Sequence, residues 1–294
     1  MPTPLSSYVG RLRCPRGALP VPSSLVSDTD AVRSLVAAVA VVALGAGLSV
    51  VGLIVDDPAP RGEIEAVSST SLTGKVIVID PGHQLGNHNH PDEINKPVDA
   101  GGFQKPCNTT GTATNGGYPE ATFAWQVAGL LKSRLEDRGA RVVLTRTTNS
   151  EDDWGPCIDA RGRRGNKLAN GGRADLEISI HGDGCNGCGS GFHVIAPASR
   201  KGWTDDIAAP SLAFAKQLRS SLHYRGLPYA PYINSGSGLD VRGDLGTLNW
   251  SDKPIAMVEL GNMRSAGDTQ RMTTLAGRRT YADALAAAIV ARLT

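Results

Sequence analysis

The sequence predicts a single α/β domain: a mostly parallel or mixed sheet, helices on both of its faces, and an active site at the carboxyl ends of the strands. Three observations carry this. Short β-branched runs such as VIVID alternate with longer stretches of helical period. The runs are almost continuously apolar, as strands covered on both faces are. Titratable residues follow or end several of them, His83 after one and His181 and Glu259 at the ends of two others, and in open α/β sheets ligands gather at those ends.

Taken in order, residues 75–80 (KVIVID) read as a buried strand closed by Pro81 and Gly82. Residues 84–118 are rich in Gly, Asn, Pro and Thr without a period, which marks a long loop with room for a short hairpin of its own; loops of that length usually line or cover a site. From Glu120 to Arg138 the period becomes helical, with Phe123, Val127, Leu130, Leu131 and Leu135 on one stripe and Gly139 as the stop. RVVLT (141–145) is the next strand. A loop through Trp154 and a basic, helix-like stretch to Asn170 lead to ADLEISIH (174–181), a strand ending at His181. FHVIA (192–196) is a further strand, residues 206–222 a helix that tolerates Pro210 in its first turn, and IAMVE (255–259) the last strand. The Ala-rich stretch 269–293 closes the domain as one helix.

Upstream of this domain, residues 34–55 run without a charge, long enough for the roughly 20 residues that span a bilayer core. The chain therefore divides into an N-terminal extension (1–33), an export signal or membrane anchor (34–55), a linker (56–74) and the domain itself (75–294). Export to the periplasm or cell wall is expected, with cleavage of the apolar run undecided and membrane contact confined to it. Of 294 residues 20% are charged, the net charge is +2 and only 5% are aromatic; that balance gives nucleic acid no basic face to bind. A monomer is favoured.

Four cysteines follow the apolar run: Cys107, Cys157, Cys185 and Cys188. In an exported domain they suggest two disulfides, for which three pairings exist. The preferred one joins Cys107 to Cys157, both in loop-like surroundings, and Cys185 to Cys188 within GCNGCGSG. Read as a metal site, His181 with the following Cys-x-x-Cys lacks an evident fourth ligand, so the disulfide is the stronger reading.

His83, Glu120 and His181 together form the two-imidazole, one-carboxylate set that leaves a zinc ion one open position. A carboxylate at Glu259, on the same sheet edge, is suited to acid/base work. Individually each residue reads as structural: a hydrogen-bonded histidine, or a glutamate favouring the helix dipole. His88 and His90 read as solvated loop residues. Arg242, Asp244 and Asn249 lie in a loop placed to approach the site, where they are candidates for substrate binding and equally for turn and capping roles.

The blocks VIVIDPGHQLG, GGYPEATFAWQVAGLLKSRLEDRGARVVLTR, ADLEISIHGD and PIAMVELGN, in that order, resemble the signature blocks of the zinc-dependent N-acetylmuramoyl-L-alanine amidases, the type 3 amidase family of bacterial cell-wall hydrolases. The resemblance spans about residues 75 to 293. It implies one Zn²⁺ held by His83, Glu120 and His181, Glu259 as catalytic acid/base, and hydrolysis of the amide between N-acetylmuramic acid and L-alanine of the peptidoglycan stem peptide, in wall turnover, remodelling or daughter-cell separation. The alternatives are an amide hydrolase of soluble muropeptide fragments and a non-catalytic wall-binding regulator. Three departures from the family pattern stand out: Gly182-Asp183-Gly184-Cys185 after SIH, where a small residue and Asn are usual; Asn262 in place of an aromatic; and Arg164, one residue too far from Ala169 and Asn170.

Overall fold

The computed structural model describes residues 70–294. The segments 1–33 and 34–55 and most of the linker 56–74 lie outside these residues. Among the described residues no helix is long and apolar enough to cross a membrane.

Strand β1 (Val76–Pro81) opens the domain. The insertion that follows carries a 3-10 turn (Leu85–Asn89), helix α1 (Pro91–Ile94) and a hairpin of β2 (Pro97–Asp99) with β3 (Gln104–Pro106). Next come α2 (Glu120–Glu136), β4 (Arg141–Leu144), α3 (Ile158–Gly162), β5 (Leu176–Asp183) and β6 (His193–Pro197). The chain ends with α4 (Ala208–Tyr224), β7 (Leu239–Arg242), α5 (Gly246–Asn249), β8 (Ile255–Asn262), α6 (Ala266–Thr273) and α7 (Leu275–Leu293).

Six strands form one sheet in the order β4-β1-β5-β8-β6-β7. β4, β1, β5 and β8 run parallel, and β6 turns against β8 and pairs in parallel with β7. The N-terminal end of β6 therefore lies at the same sheet edge as the carboxyl ends of β5 and β8. Alternation along the strands separates two faces. Ile77, Ile79, Leu176, Ile178, Ile180, Val194, Ala256 and Val258 join the main core, with Phe123, Val127, Leu131 and Leu135 of α2, Phe214 of α4 and Tyr281 and Leu285 of α7. The opposite face holds only a small apolar cluster, Ile195, Ile207, Leu248, Ile255 and Met257. Beside these and Val78, the face carries a run of polar side chains, Asp80, Glu177, Ser179, His181, His193 and Glu259. That polar face is the one on which the site is built.

Two expectations are corrected. The basic stretch to Asn170 is helical only over Ile158–Gly162, because Arg161 turns into the protein and a Cβ at Gly162 or Gly165 would run into the backbone of Thr247 or the carboxyl of Glu177. The single C-terminal helix is two helices: Thr274 takes an extended conformation and its side chain accepts from Gly277 N, starting α7 afresh. The loop 84–118 does contain a hairpin. The cysteines expected to pair lie side by side, Cys107 with Cys157 (Cα–Cα 4.3 Å) and Cys185 with Cys188 (5.6 Å), both within disulfide reach; the first pair brings the insertion against the start of α3.

Candidate metal centre

His83 reaches the sheet edge through the turn after β1, where Gly82 lies so close to His181 that any side chain there would enter its ring. His83 itself has φ 55°, a left-handed conformation uncommon outside glycine and frequent where function requires it. Its Nδ1 donates to the Thr109 carbonyl at 3.0 Å. This bond fixes the tautomer and leaves Nε2, 3.1 Å from Glu120 Oε1, free as a ligand atom. Glu120 is the first residue of α2 and buried; its Oε1 also meets His181 Nδ1 at 2.8 Å and accepts from Gly182 N, while Oε2 accepts from Thr112 N. The two imidazole rings stand edge to face with centroids 4.9 Å apart. Gly111, at φ +77°, leaves room for them: a Cβ there would come within 2.9 Å of Glu120 Oε2.

One ligand atom from each of His83, Glu120 and His181 lies within 4.8 Å of the others. Two nitrogen donors and one carboxylate oxygen, converging on one spot with the far nitrogen of His83 tied to a carbonyl, fit a divalent cation. Without one the same oxygen must serve both rings. Burial alone would raise the Glu120 carboxyl; His83 and His181 overcome this and hold it far below the usual carboxylate range. Burial likewise opposes charge on His83, yet Glu120 raises its pKa.

Glu259 faces this group across the sheet, paired with His181 in register. Burial, together with the charges of Glu120 and Asp183, raises its carboxyl well above the ordinary value against the pull of Arg242. Its Oε2 is buried without a hydrogen-bond partner. His83, Glu120, His181 and Glu259 all line a cleft of about 380 Å³, walled by Met257, Leu245 and Lys105. The cleft has room for a small group beside the three candidate ligands and the orphan carboxyl oxygen.

Two arginines absent from the sequence-based candidates hold the turn that carries His83. Arg161 donates to Asp80 Oδ1 (2.6 Å), Pro81 O (2.8 Å) and His83 O (2.6 Å). Arg146 donates to the carbonyls of Pro81 and Gly82 from one side and of Ala121, next to Glu120, from the other; burial lowers its pKa to about 9. Arg161 also resolves the spacing anomaly. It, and not Arg164, is the inward arginine, and the pair at the shorter spacing is Gly165–Asn166. The other two departures are partners: Asn262 Nδ2 donates to the carbonyls of Cys185 (2.7 Å) and Gly189 (2.8 Å), tying down the loop that replaces the usual residues.

The remaining candidates lie apart from the ligands. His88 and His90 turn to the 151–152 segment, His88 Nε2 to Glu151 and His90 Nε2 to the Asp152 carbonyl. Arg242 and Asp244 pair with each other at the rim, where Asp244 also meets Lys105 at 3.0 Å. Asn249 is buried and spends its amide on the carbonyls of Ala100 and Gly243, so it anchors the hairpin instead of facing the cleft.

Residues 77–291 match the family model for N-acetylmuramoyl-L-alanine amidase. An N-acetylmuramoyl-L-alanine amidase of Mycobacterium tuberculosis is 37% identical over 237 residues, 80% of this chain and 93% of the relative. Among solved structures, the N-acetylmuramyl-L-alanine amidase Ami1 of Mycobacterium abscessus is 41% identical with a TM-score of 0.68, covering 76% of this chain and 100% of that one. Ami1 of Mycobacterium smegmatis is 35% identical with a TM-score of 0.69, over 76% and 98%.

Proposed function

The chain belongs to the N-acetylmuramoyl-L-alanine amidase family, and from that premise we propose that it is an exported zinc hydrolase cleaving the amide between N-acetylmuramic acid and L-alanine in peptidoglycan. The observation that carries the reading is the convergence of His83, Glu120 and His181 in one cleft with Glu259 opposite. This donor set suits zinc, which takes imidazole and carboxylate ligands with one position left for substrate. Bound there, Zn²⁺ supplies Lewis-acid polarisation of the scissile carbonyl.

The chain's own groups do the rest. His83, Glu120 and His181 hold the ion. Glu259 takes a proton at Oε2 from the attacking water and delivers it to the amide nitrogen as the C–N bond breaks. The products are the lactyl carboxylate of the sugar and the free α-amine of the peptide. A carboxyl raised by burial and neighbouring carboxylates is suited to retain that proton between the two transfers. Arg161 and Arg146 keep the turn carrying His83 in place. The uncharged run 34–55, upstream of an enzyme whose substrate is the wall, supports export.

The experiment incubates purified protein with muramyl dipeptide and Zn²⁺, with and without chelator, and identifies the products by mass spectrometry. Free L-alanyl-D-isoglutamine, lost on chelation and lost in Glu259→Ala, is expected. Cleavage at another bond, or a Glu259→Ala variant as active as wild type, overturns the assignment. Intact sacculi and soluble muropeptides assayed in parallel rank the two forms of the substrate.

A further inference from the structure

Glu259 is the middle of three polar side chains set in a row across the sheet. The register places His181 opposite it on β5 and His193 opposite it on β6, and residues directly opposite project to the same face at close range. His181 is accounted for by Glu120. His193 is not: it is 4% exposed, yet its Nδ1 is buried and has no hydrogen-bond partner. Glu259 Oε2, on the facing position of β8, is in the same condition. Buried polar atoms are nearly always paired, so each orphan calls for an explanation. Here two orphans of complementary chemistry sit at one register position, beside the cleft.

The surroundings hold the imidazole in place. The Tyr232 ring packs against His193 edge on, with centroids 6.4 Å apart. Asp183, Asp240 and Arg242 contribute charges of both signs, and burial outweighs the two aspartates to keep His193 below the ordinary imidazole value. A neutral imidazole carries one N–H, and a carboxylate next to it is the acceptor.

We infer that His193 is a positioning residue of the reaction, its Nδ1–H donating to the Glu259 carboxylate when substrate occupies the cleft and so aiming Oε2 at the proton it moves. Hydrogen bonds of this kind are commonly long in the free enzyme and tighten in the substrate complex. The inference rests on Glu259 being the acid/base.

The test compares the full-length wild type with His193→Leu, His193→Asn, His193→Gln and Glu259→Gln, each checked for metal content, by kcat and KM on muramyl dipeptide. Asn presents an amide N–H near the place of Nδ1, Gln near that of Nε2, and Leu neither. Expected is a kcat at least about tenfold lower for Leu and Gln, with KM and metal content unchanged, and recovery to within about threefold of wild type for Asn. Equal losses for Asn and Gln, or a fully active Leu variant while Glu259→Gln is inactive, overturn the role of His193. A fully active Glu259→Gln overturns the acid/base assignment beneath it, which is a separate result. Should His193→Leu fail to fold, the Asn and Gln pair decides.

Discussion

Arg161 Nη1 and Asp80 Oδ1 meet at 2.6 Å with both side chains buried, and the same guanidinium donates to the carbonyl of His83, a candidate metal ligand. One buried ion pair thus anchors the strand that leads into His83. Burial disfavours the Asp80 carboxylate, but Arg161, Ser179 and Thr145 overcome this and lower its pKa. Removing one partner of such a pair leaves an uncompensated buried charge, so Arg161→Met is expected to cost about 3–5 kcal/mol in urea unfolding, and to weaken metal binding. Arg161→Lys recovers little, since an ammonium cannot reproduce the guanidinium's five-donor fork. A loss below about 1 kcal/mol would put the pair among those that contribute nothing measurable.

The elements that a period announces over enough residues were legible: β1, β5 and α2 lie within two residues of their sequence-based bounds, and β8 starts where expected but runs three residues further, to Asn262. β7, α5 and the β2–β3 hairpin have three or four residues each, too few for a period, and they exist because they pack against elements remote in sequence. The break before α7 did carry a signal, Thr274 three residues ahead of Gly277, masked by the Ala-rich helical pattern on either side. At the site, His83, Glu120 and His181 converge as the family resemblance implies. Arg146 and Arg161 could not be read in that way, because a basic residue in a polar stretch looks solvated until its carbonyl partners are known. His193 was hidden for a related reason: alternation shows that it shares a face with its strand neighbours two residues away, but only the antiparallel register shows that it faces Glu259.

Asn262 gives the loop 184–189 its only side-chain tethers from β8 among the described residues, through the carbonyls of Cys185 and Gly189. Asn262→Ala is expected to destabilise the protein by about 1–3 kcal/mol, because two hydrogen bonds worth about 0.5–1.5 kcal/mol each are lost. Amide hydrogen exchange in residues 184–190 rises by more than it does in α2 or α4. Uniform exchange across the chain would show that Asn262 acts on global stability and not on this loop.

A metal ion that binds only the folded protein stabilises it by mass action, by about 2.7 kcal/mol at a free concentration one hundred times its Kd. Adding Zn²⁺ to the metal-free protein should therefore raise Tm in a concentration-dependent way, and chelator should reverse the rise. His181→Ala removes a nitrogen donor of the triad and Glu120→Gln replaces its carboxylate with a neutral amide oxygen, so both should flatten that dependence, whereas His88→Ala, whose ring faces Glu151, should leave it intact. A shift that survives in both triad variants would place the ion elsewhere.

Glu177 lies on the polar face of β5, 2% exposed, accepting from Ser251 Oγ at 3.0 Å. Burial is the main cause that raises its carboxyl to about 8, with Asp80 and Asp252 adding to it against the Ser251 hydrogen bond. The folded pKa is thus above the unfolded one, near 4.3. Between these values the folded protein binds more protons at this group than the unfolded chain, so its contribution to stability is fully present below about pH 4 and declines as pH rises to about 8. Glu177→Gln removes the titration while preserving the shape and an acceptor for Ser251. The stability difference between wild type and this variant should shift in the variant's favour by on the order of 4–5 kcal/mol between pH 4 and pH 9. Urea denaturation at a series of pH values measures it, and subtracting the two curves cancels the other titrating groups. Parallel curves would mean that Glu177 is ionised in the folded protein and that its burial is relieved by water.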